Sequence, residues 1–260
     1  MPALDATELL ALMDLNMTAV YAADTRATPG GEVIEASGLF MCRTPRGTVG
    51  TNMAIVTGPT DVATVRRLCR EMYGAGGLPF SVWTREHVDA ALARELEADG
   101  FLPIHREPGM VLLPDAWEGV PVAPDVEVRA VGDAEEYGRV AAAAFGVYGV
   151  PEASVTEHFE TAASVTGRET QAYLAYRDGR AVAGAILYMA HGVGGIGWVA
   201  TVPAEFGRGY GRAVTRAVIE DGFARGARFM NLQASPMGEP MYRRMGFTTP
   251  THYRWFLASP

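Results

Sequence analysis

The sequence is poor in cysteine and has no long apolar run. Its two cysteines, Cys42 and Cys69, are too far apart for a metal-binding pair and too few for a disulfide framework. No apolar stretch approaches the roughly 20 residues of a membrane span, and the N-terminal residues carry acids where a signal peptide carries basic residues. We therefore expect a cytoplasmic protein that enters no membrane and holds no metal.

Basic residues are also in deficit. The 22 basic and 30 acidic side chains leave a formal charge of -8, which repels a phosphate backbone and argues against a nucleic-acid partner. With 48% apolar and 20% charged residues, the composition is that of a soluble globular protein. A length of 260 residues suits one large domain or two of ordinary size, and it leaves the choice between monomer and homodimer open.

The first part of the chain predicts alternating helices and strands. An opening helix precedes a hairpin of segments 37–43 and 48–56, which the turn-like residues 44–47 separate. A helix at about 60–73, a strand at 80–83, a helix at 87–98 and a strand at 108–113 follow, with Gly100 at the helix stop. Residues 114–124 contain three prolines and no periodicity. We predict a first domain over 1–115, a linker over 116–124 and a second domain over 125–260.

The second part predicts a strand at 126–129, helical segments to about 163, and a hairpin of strands 170–177 and 181–190 around Asp178-Gly179. A strand at 196–202, a helix at 212–225, a strand at 228–234, a short helix at 238–245 and a strand at 252–257 complete it. The pattern predicts a mixed α/β fold with a central sheet and helices on its faces.

One glycine run points to chemistry. Gly207, Gly209 and Gly211 alternate with Arg208, Tyr210 and Arg212 between a strand and an amphipathic helix. Glycines let a backbone approach a ligand closely, and the first-turn N–H groups of a helix bind anions. The spacing suits a phosphate-bearing ligand, although glycines in such a place also form ordinary turns.

Two other phosphate-binding motifs can be set aside. Gly192-x-Gly194-x-x-Gly197 has the letters of a dinucleotide fingerprint but precedes a strand-like run, so we interpret it as a hairpin turn. No G-x-x-x-x-G-K-[ST] sequence is present, which excludes a P-loop. The phosphate therefore belongs to another ligand.

Residues 199–213, with the sequence VATVPAEFGRGYGRA, closely resemble the acetyl-CoA pyrophosphate loop of the GNAT superfamily of N-acetyltransferases. Residues 232–236 (LQASP) and 241–247 (MYRRMGF) resemble the family's later strand, helix and Gly-Phe element, so the resemblance covers about 125–260. It implies the acyl-CoA N-acyltransferase fold. One position departs from the family signature, because Phe206 stands where the family has Arg or Gln.

The resemblance also implies the ligand and its contacts. The donor substrate would be acetyl-CoA, with its pantetheine arm along the backbone of Ala200 and Val202, on either side of Thr201, where two strands splay. The pyrophosphate would lie on residues of the glycine run, which are Gly207, Arg208, Gly209, Tyr210, Gly211 and Arg212.

The implied reaction is direct attack of an amine on the thioester, which benefits from an acid and a base. Tyr242, four residues before Gly246, is where many relatives carry the tyrosine that protonates the sulfur, and a packed core tyrosine is the alternative. Ser235 is a weaker candidate for a catalytic contact, since Ser-Pro also forms turns.

The base is missing from its usual place, because residues 196–200 contain no carboxylate. The proton would leave through water or through a residue from elsewhere. Glu152, Glu157 and His158 lie in the helical region where relatives build the acceptor pocket, and we expect solvated helix residues there. An aromatic wall for the acceptor is possible at a further set of residues, which are Phe145, Tyr148 and Trp198.

The first domain looks like a degenerate second copy of the same fold. Residues 64–113 repeat the order helix, strand, helix, Gly-Phe, strand of the second domain, and Gly100-Phe101 corresponds to Gly246-Phe247. Leu96 stands where the second copy has Tyr242, and no Gly-x-Gly run opens the preceding helix, so we expect no CoA binding there. An unrelated α/β domain is the alternative.

Two functions remain. The first is an N-acetyltransferase that transfers acetyl from acetyl-CoA to a primary amine of a small molecule or a protein. The second is a CoA-binding or regulatory module without catalysis, which Phe206 and the missing carboxylate favour, whereas the glycine run and Tyr242 favour the enzyme.

Overall fold

A computed structural model describes residues 4–121 and 125–258, which form one mixed sheet with helices on both faces. The mixed α/β fold predicted from the sequence is therefore confirmed. The helices are α1 (Ala6–Ala27), α2 (Val62–Tyr73), α3 (Ala90–Ala98), α4 (Ala134–Phe145), α5 (Glu152–Thr156), α6 (Tyr210–Ala224) and α7 (Glu239–Arg244). The strands are β1 (Glu32–Ala36), β2 (Leu39–Arg43), β3 (Met53–Val56), β4 (Ser81–Arg85), β5 (Leu102–Leu112), β6 (Glu127–Val131), β7 (Thr170–Arg177), β8 (Arg180–Ala190), β9 (Val193–Thr201), β10 (Met230–Gln233) and β11 (Thr248–Leu257).

The two halves of the chain exchange their last strands. The strand order is β1-β2-β3-β4-β11-β5-β10-β9-β8-β7-β6, so β5 of the first half lies between β11 and β10 of the second. Likewise β11 lies between β4 and β5. The pairs β3·β4 and β9·β10 are parallel, and the pairs around β5 and β11 are antiparallel.

The exchange gives the sheet an approximate twofold symmetry. Glu107 pairs with Tyr253 at its centre, and the neighbouring pairs are Arg106 with Arg254 and Pro108 with His252. The two Gly-Phe elements have the same geometry, since Gly100 and Gly246 have φ of 90° and 95°. The following N–H groups bond to the carbonyls five residues back, at 2.9 Å for Phe101 to Leu96 and 3.1 Å for Phe247 to Tyr242.

Helix α1 crosses one face of the sheet and joins its halves. Alternate strand residues separate the layers, because Met41 packs with α2 whereas Cys42 packs against α1. At the second half, the Asn16 side chain donates a 3.1 Å hydrogen bond to Val193 O, and Asn231 donates one of 3.2 Å to Met13 O. Helix α4 packs beside α1 on this face, and α6 and α7 pack on the opposite one.

The helices lie close to the predicted positions, but some strands and one connection differ. Strand β1 was not predicted because it is an edge strand with little burial on either side. Residues 44–52 form a longer loop than the predicted four-residue turn, and β5 begins at Leu102 despite two prolines. Gly192 lies in the β8–β9 turn as predicted, whereas Gly194 and Gly197 lie inside β9.

The predicted linker lies only partly in the described chain. Pro114–Ala116 form a 3₁₀ turn, and Trp117 and Val120 pack against the core of the second half. Residues 122–124 of the predicted linker lie outside the described residues. In the part of the chain that is described, no helix is long and apolar enough to cross a bilayer.

The strand exchange predicts that residues 125–260 do not fold cooperatively when expressed alone. Without β5, strands β10 and β11 have no common neighbour, and the backbone groups of both that pair with β5 lose their partners. Thermal unfolding followed by circular dichroism should show no sharp transition. Co-expression with residues 1–121 as a separate chain should restore it, and a cooperative transition of the isolated fragment would contradict the prediction.

Candidate functional site

Strands β9 and β10 pair only briefly and then diverge. Their pairs are Gly194 with Met230 and Gly195 with Asn231. Beyond them β9 stays on β8 as far as Thr201, and β10 stays on β5 as far as Gln233, so a gap opens between two strands that are each paired on the other side. A cavity of about 150 Å³ lies at this gap. It is lined by Ala144, Phe145, Tyr148, Val199, Ala200, Thr201, Phe206, Gly211, Ser235, Met237, Gly238, Met241 and Tyr242.

A bulge at Trp198 turns β9 just before the cavity. The β8–β9 register shifts between the pairs Gly184–Ala200 and Ile186–Gly197, and Trp198 has a φ of 51°. A non-glycine residue in this left-handed region costs roughly 1–2 kcal/mol, so the conformation needs support from its surroundings. The Tyr137 hydroxyl of α4 supplies some of it by donating a 2.8 Å hydrogen bond to Trp198 O.

Thr201 turns its peptide group toward the gap. Val202 N–H donates to Val182 O on β8 at 2.9 Å, and Val202 O accepts the N–H of Glu205 at 2.9 Å. The backbone N–H and C=O groups of successive residues along β9 point to alternate sides. Those of Ala200 therefore point to β8, as the Val202 N–H does, and those of Thr201 point away from β8. The Val202 groups that the resemblance assigned to the pantetheine arm are thus engaged, and Thr201 offers the free backbone groups at this point.

The other end of the cavity is an uncapped helix N-terminus. Helix α6 begins after Gly209, whose φ is 87°, and no side chain caps it. The first-turn N–H groups of Tyr210, Gly211 and Arg212 have no partner within the described segments of the chain. Such unsatisfied donors, together with the helix dipole, attract an anion. A side chain at Gly211 would meet Thr201 Oγ1 at 3.0 Å, so glycine keeps the backbone accessible.

The charged residues of the loop have different partners. Arg208 Nε lies 3.1 Å from Glu205 Oε2, which also contacts Arg177 at 3.1 Å. Arg212 is half-buried, forms no ion pair among the residues described, and has a buried Nε without a partner. Arg212 is therefore the cation of the loop that a phosphate could neutralise.

The side chains of two other loop residues offer a phosphate no polar contact. The Tyr210 side chain is buried and donates a 2.7 Å hydrogen bond to Asp125, so Tyr210 can offer a ligand only its backbone. Phe206, at the position of the family's Arg or Gln, is 41% exposed and lines the cavity with an apolar ring. It can supply no polar contact to a phosphate.

Tyr242 and Ser235 both line this cavity. Tyr242 is 6% exposed, and its hydroxyl has no hydrogen-bond partner in residues 4–121 and 125–258. Burial, and to a smaller degree the neighbouring Tyr148, raises the pKa of Tyr242 well above its ordinary value, so the phenol stays protonated at neutral pH. Ser235 Oγ accepts the N–H of Gly238 at 3.2 Å and so fixes the start of α7.

Aromatic side chains form the wall on the α4 side. Phe145 and Tyr148 line the cavity with ring centroids 6.3 Å apart. Trp198 packs edge-on behind Phe145 at 5.3 Å and does not line the cavity itself. The expected wall is therefore formed by two of the three predicted residues.

The expectation of solvated residues in the α5 region was wrong for Glu157 and His158, which are 2% and 1% exposed. The Glu157 carboxylate accepts hydrogen bonds from Thr44 Oγ1 at 2.7 Å and from the N–H of Arg46 at 3.0 Å. These partners come from the first half, which is why the local sequence could not reveal the burial. Glu152 is exposed, as expected.

Asp24 of α1 connects the first half to the bulge. Its carboxylate accepts the indole N–H of Trp198 at 3.0 Å and lies 3.1 Å from His158 Nδ1. Burial alone lowers the pKa of His158, but Asp24, and to a smaller degree Glu157, raise the pKa above its ordinary value overall. This buried network joins the two halves beside the cavity.

The raised pKa of His158 predicts a pH-dependent stability. A group with a raised folded-state pKa stabilises the protein below its unfolded pKa of about 6.5, and the contribution is lost as the pH rises through the folded value. Denaturant unfolding should thus show the wild type losing more stability than Asp24→Asn between pH 6 and pH 8. Equal losses in the two proteins would contradict the assignment.

Comparison with protein families matches residues 138–247 to the acetyltransferase (GNAT) family. Residues 138–247, in the C-terminal half of the chain, therefore match a GNAT acetyltransferase domain, as the resemblance implied. Members of this family transfer acyl groups, generally from acetyl-CoA to amine acceptors. A search of curated proteins gave no match.

Solved structures extend the likeness of fold to most of the chain. A GCN5-related N-acetyltransferase from Kribbella flavida is 20% identical, with 93% of this chain and 96% of that chain covered at a TM-score of 0.69. A functionally unknown conserved protein from Staphylococcus epidermidis is 19% identical, with coverages of 87% and 93% and a TM-score of 0.63. A GCN5-related N-acetyltransferase from Sphaerobacter thermophilus is 18% identical, with coverages of 98% and 94% and a TM-score of 0.58. At these identities the similarity establishes the fold.

Proposed function

We propose that the protein is an N-acetyltransferase that transfers the acetyl group of acetyl-CoA to a primary amine of a small molecule or a protein. The observation that carries this proposal is the coincidence of three features at one cavity. These are the β9–β10 gap, the uncapped N-terminus of α6 and the free hydroxyl of Tyr242. A donor with a pyrophosphate, a pantetheine arm and a thioester sulfur needs an anion site, a gap that receives the arm and a proton donor, which the α6 N-terminus, the gap and Tyr242 would supply in that order.

Different residues would bind the pyrophosphate and the pantetheine arm of acetyl-CoA. The N–H groups of the α6 first turn and the unpaired Arg212 would hold the pyrophosphate, and the Thr201 backbone would pair with the pantetheine amides. Glycines at 207, 209 and 211 keep the loop backbone accessible. The apolar Phe206 replaces a polar side-chain contact, so the backbone supplies most of the phosphate contacts.

Tyr242 would act on the leaving group. The amine attacks the thioester carbonyl carbon, the C–S bond breaks, and the Tyr242 hydroxyl protonates the departing sulfur. The raised pKa of Tyr242 keeps its proton in place until the thiolate develops. Ser235, at the same cavity, is placed for a hydrogen bond to the arm near the sulfur.

We also propose that the first half is a degenerate GNAT-like copy that binds no CoA. Its equivalent of α6 is α2, which follows β3 as α6 follows β9. There the Asp61 side chain caps the helix by accepting the Thr64 N–H at 2.7 Å, and this contact lowers the pKa of Asp61. A carboxylate already occupies the N-terminus of α2, so an incoming phosphate would meet negative charge.

A carboxylate introduced at the α6 N-terminus should block acetyl-CoA. Gly209→Glu should weaken binding about tenfold or more in calorimetry, because repulsion at the anion site need remove only about 1.4 kcal/mol. Gly226→Glu is the matched control, since Gly226 follows the other end of α6 with a φ of 86° against 87° and has free space around it. The control should bind one acetyl-CoA per chain as the wild type does.

Failure of the wild type to bind acetyl-CoA would contradict the donor assignment. Binding by the wild type that both glutamate variants lose equally would indicate a general structural defect instead of a local block. Binding of two molecules per chain would contradict the proposed inactivity of the first half.

Tyr242→Phe should lower kcat about 100-fold while acetyl-CoA affinity stays within threefold, because the hydroxyl acts mainly on the leaving sulfur. Tyr73→Phe is the control, since that buried hydroxyl lies 2.7 Å from Met53 O in the first half, remote from the cavity. The control should lose about 1–3 kcal/mol of unfolding free energy and keep its kcat. A wild-type kcat in Tyr242→Phe would remove Tyr242 from the mechanism.

The rival function is a CoA-binding module without catalysis, which Phe206 and the absence of a carboxylate on β9 favour. It predicts acetyl-CoA binding without thiol release on any amine. Both cysteines are buried, so a thiol reagent should report released CoA with little background. The chain has no lysine, so its side chains offer no amine acceptor of their own.

A further inference from the structure

Strand β5 brings a carboxylate level with Ser235. Gly109 pairs with Gln233, and the N–H of Ala234 donates to Pro108 O at 3.0 Å, so the antiparallel register continues past the end of β10. Each step backward on β5 corresponds to one step forward on β10. Glu107 is therefore opposite Ser235, at a Cα separation of about 5 Å for such pairs.

The Glu107 side chain lies on the α1 face of the sheet. A Cβ added at Gly109 would lie 3.2 Å from Met13 Cε of α1, so this register position faces α1. Residues two apart on a strand face the same way, so Glu107 points to the α1 side as well. Ser235 Oγ accepts the Gly238 N–H at the start of α7 and lines the same cavity as Tyr242, which belongs to the core of the opposite side. The gap between β9 and β10 connects the two sides.

Glu107 has no competing partner. It is partly buried, and within the described ranges its carboxylate forms no ion pair and no hydrogen bond. Burial raises the pKa of Glu107 to about 7, which is close to the optimum for a general base at neutral pH.

Other titratable groups on this face are either uncharged at neutral pH or already engaged with a partner. Tyr21 of α1, Cys42 of β2 and Tyr253 of β11 all have a pKa raised chiefly by burial, so they are uncharged at neutral pH. The Asp24 carboxylate of α1 is engaged by Trp198 and His158. Glu107 is the carboxylate that stays available beside Ser235.

We propose that Glu107, contributed by the first half, is the general base of the acetyl transfer in the second half. This inference rests on the proposed function. As the amine nitrogen forms its bond to the thioester carbonyl carbon, Glu107 takes the N–H proton, the C–S bond breaks, and the sulfur takes the proton of Tyr242. The products are the amide and the thiol of CoA, and solvent returns a proton to Tyr242 and removes one from Glu107.

The symmetry-related position explains why one half alone carries this base. The equivalent of Glu107 in the second half is Tyr253, which pairs with Arg85 of β4. Both side chains bind Asp14 of α1, at 2.9 Å from the Tyr253 hydroxyl and 3.2 Å from Arg85 Nη1. These contacts occupy the equivalent space with a closed network, whereas Glu107 stays unpaired.

The test combines kinetics with a direct titration. Thiol release from acetyl-CoA is measured against pH with hydroxylamine, which is uncharged at neutral pH, and with ethylamine, benzylamine and spermidine. The proteins are the wild type, Glu107→Gln and the control Glu95→Gln, whose exposed residue lies on α3. In parallel, ¹³C NMR of labelled glutamate carboxyls follows Glu107 in the wild type, with its signal identified by its absence in Glu107→Gln.

The wild-type rate with hydroxylamine should rise with pH through an apparent pKa near 7, because the base must be deprotonated. Glu107→Gln should lose this dependence and about 100-fold in kcat, with acetyl-CoA affinity within threefold of wild type, and Glu95→Gln should match the wild type. The NMR signal of Glu107 should titrate near pH 7 and shift when acetyl-CoA is added.

A Glu107→Gln variant with wild-type rates and pH profile would overturn the proposal, as would a Glu107 signal that titrates near 4 and ignores acetyl-CoA. If the wild type binds acetyl-CoA and releases no thiol with these amines, the NMR titration decides the question. Calorimetry measures acetyl-CoA binding separately. If the wild type binds no acetyl-CoA, that result contradicts the proposed function itself.

Discussion

The pairing of β5 with β11 is the interaction on which the rest of the structure depends. It runs from the pair Leu102–Leu257 to the pair Val111–Thr248 and joins the last strands of the two halves as antiparallel neighbours in the sheet. Because of it, β10 is held by β5 on one side and by two residues of β9 on the other, which leaves the remainder of its β9 edge free. The gap between β9 and β10 therefore exists only in the assembled sheet, in which β5 of the first half holds β10 in place.

Polar contacts between the two halves position the β9 bulge and the α5 region beside the cavity. Asp24 and Thr44 of the first half satisfy His158, Trp198 and Glu157, whose burial would otherwise cost several kcal/mol. These contacts hold the β9 bulge and the α5 region against α1. The first half thus has two structural tasks, which are to complete the sheet and to hold the α5 region, and in our proposal it also supplies the base.

The sequence predicts the elements that local pattern defines. The glycine run before α6, the Asp178-Gly179 turn and the Gly-Phe elements were found because each has a local backbone reason. The strand exchange and the backbone directions at Thr201 and Val202 were not predictable, because they depend on strand register. The burial of Glu157 was not predictable because its partner Thr44 lies more than 100 residues away. Glu107 carries no motif, and its position opposite Ser235 emerges only from the pairing of β5 with β10.

Hydrogen–deuterium exchange with and without acetyl-CoA tests the central claim most directly, namely that two related halves form one sheet with one donor site. We predict slower exchange on ligand addition in residues 199–213, at the β9 end and the α6 first turn. Residues 57–64, at the equivalent N-terminus of α2, should exchange at the same rate in both states. Protection of 57–64, or no protection of 199–213, would contradict the account.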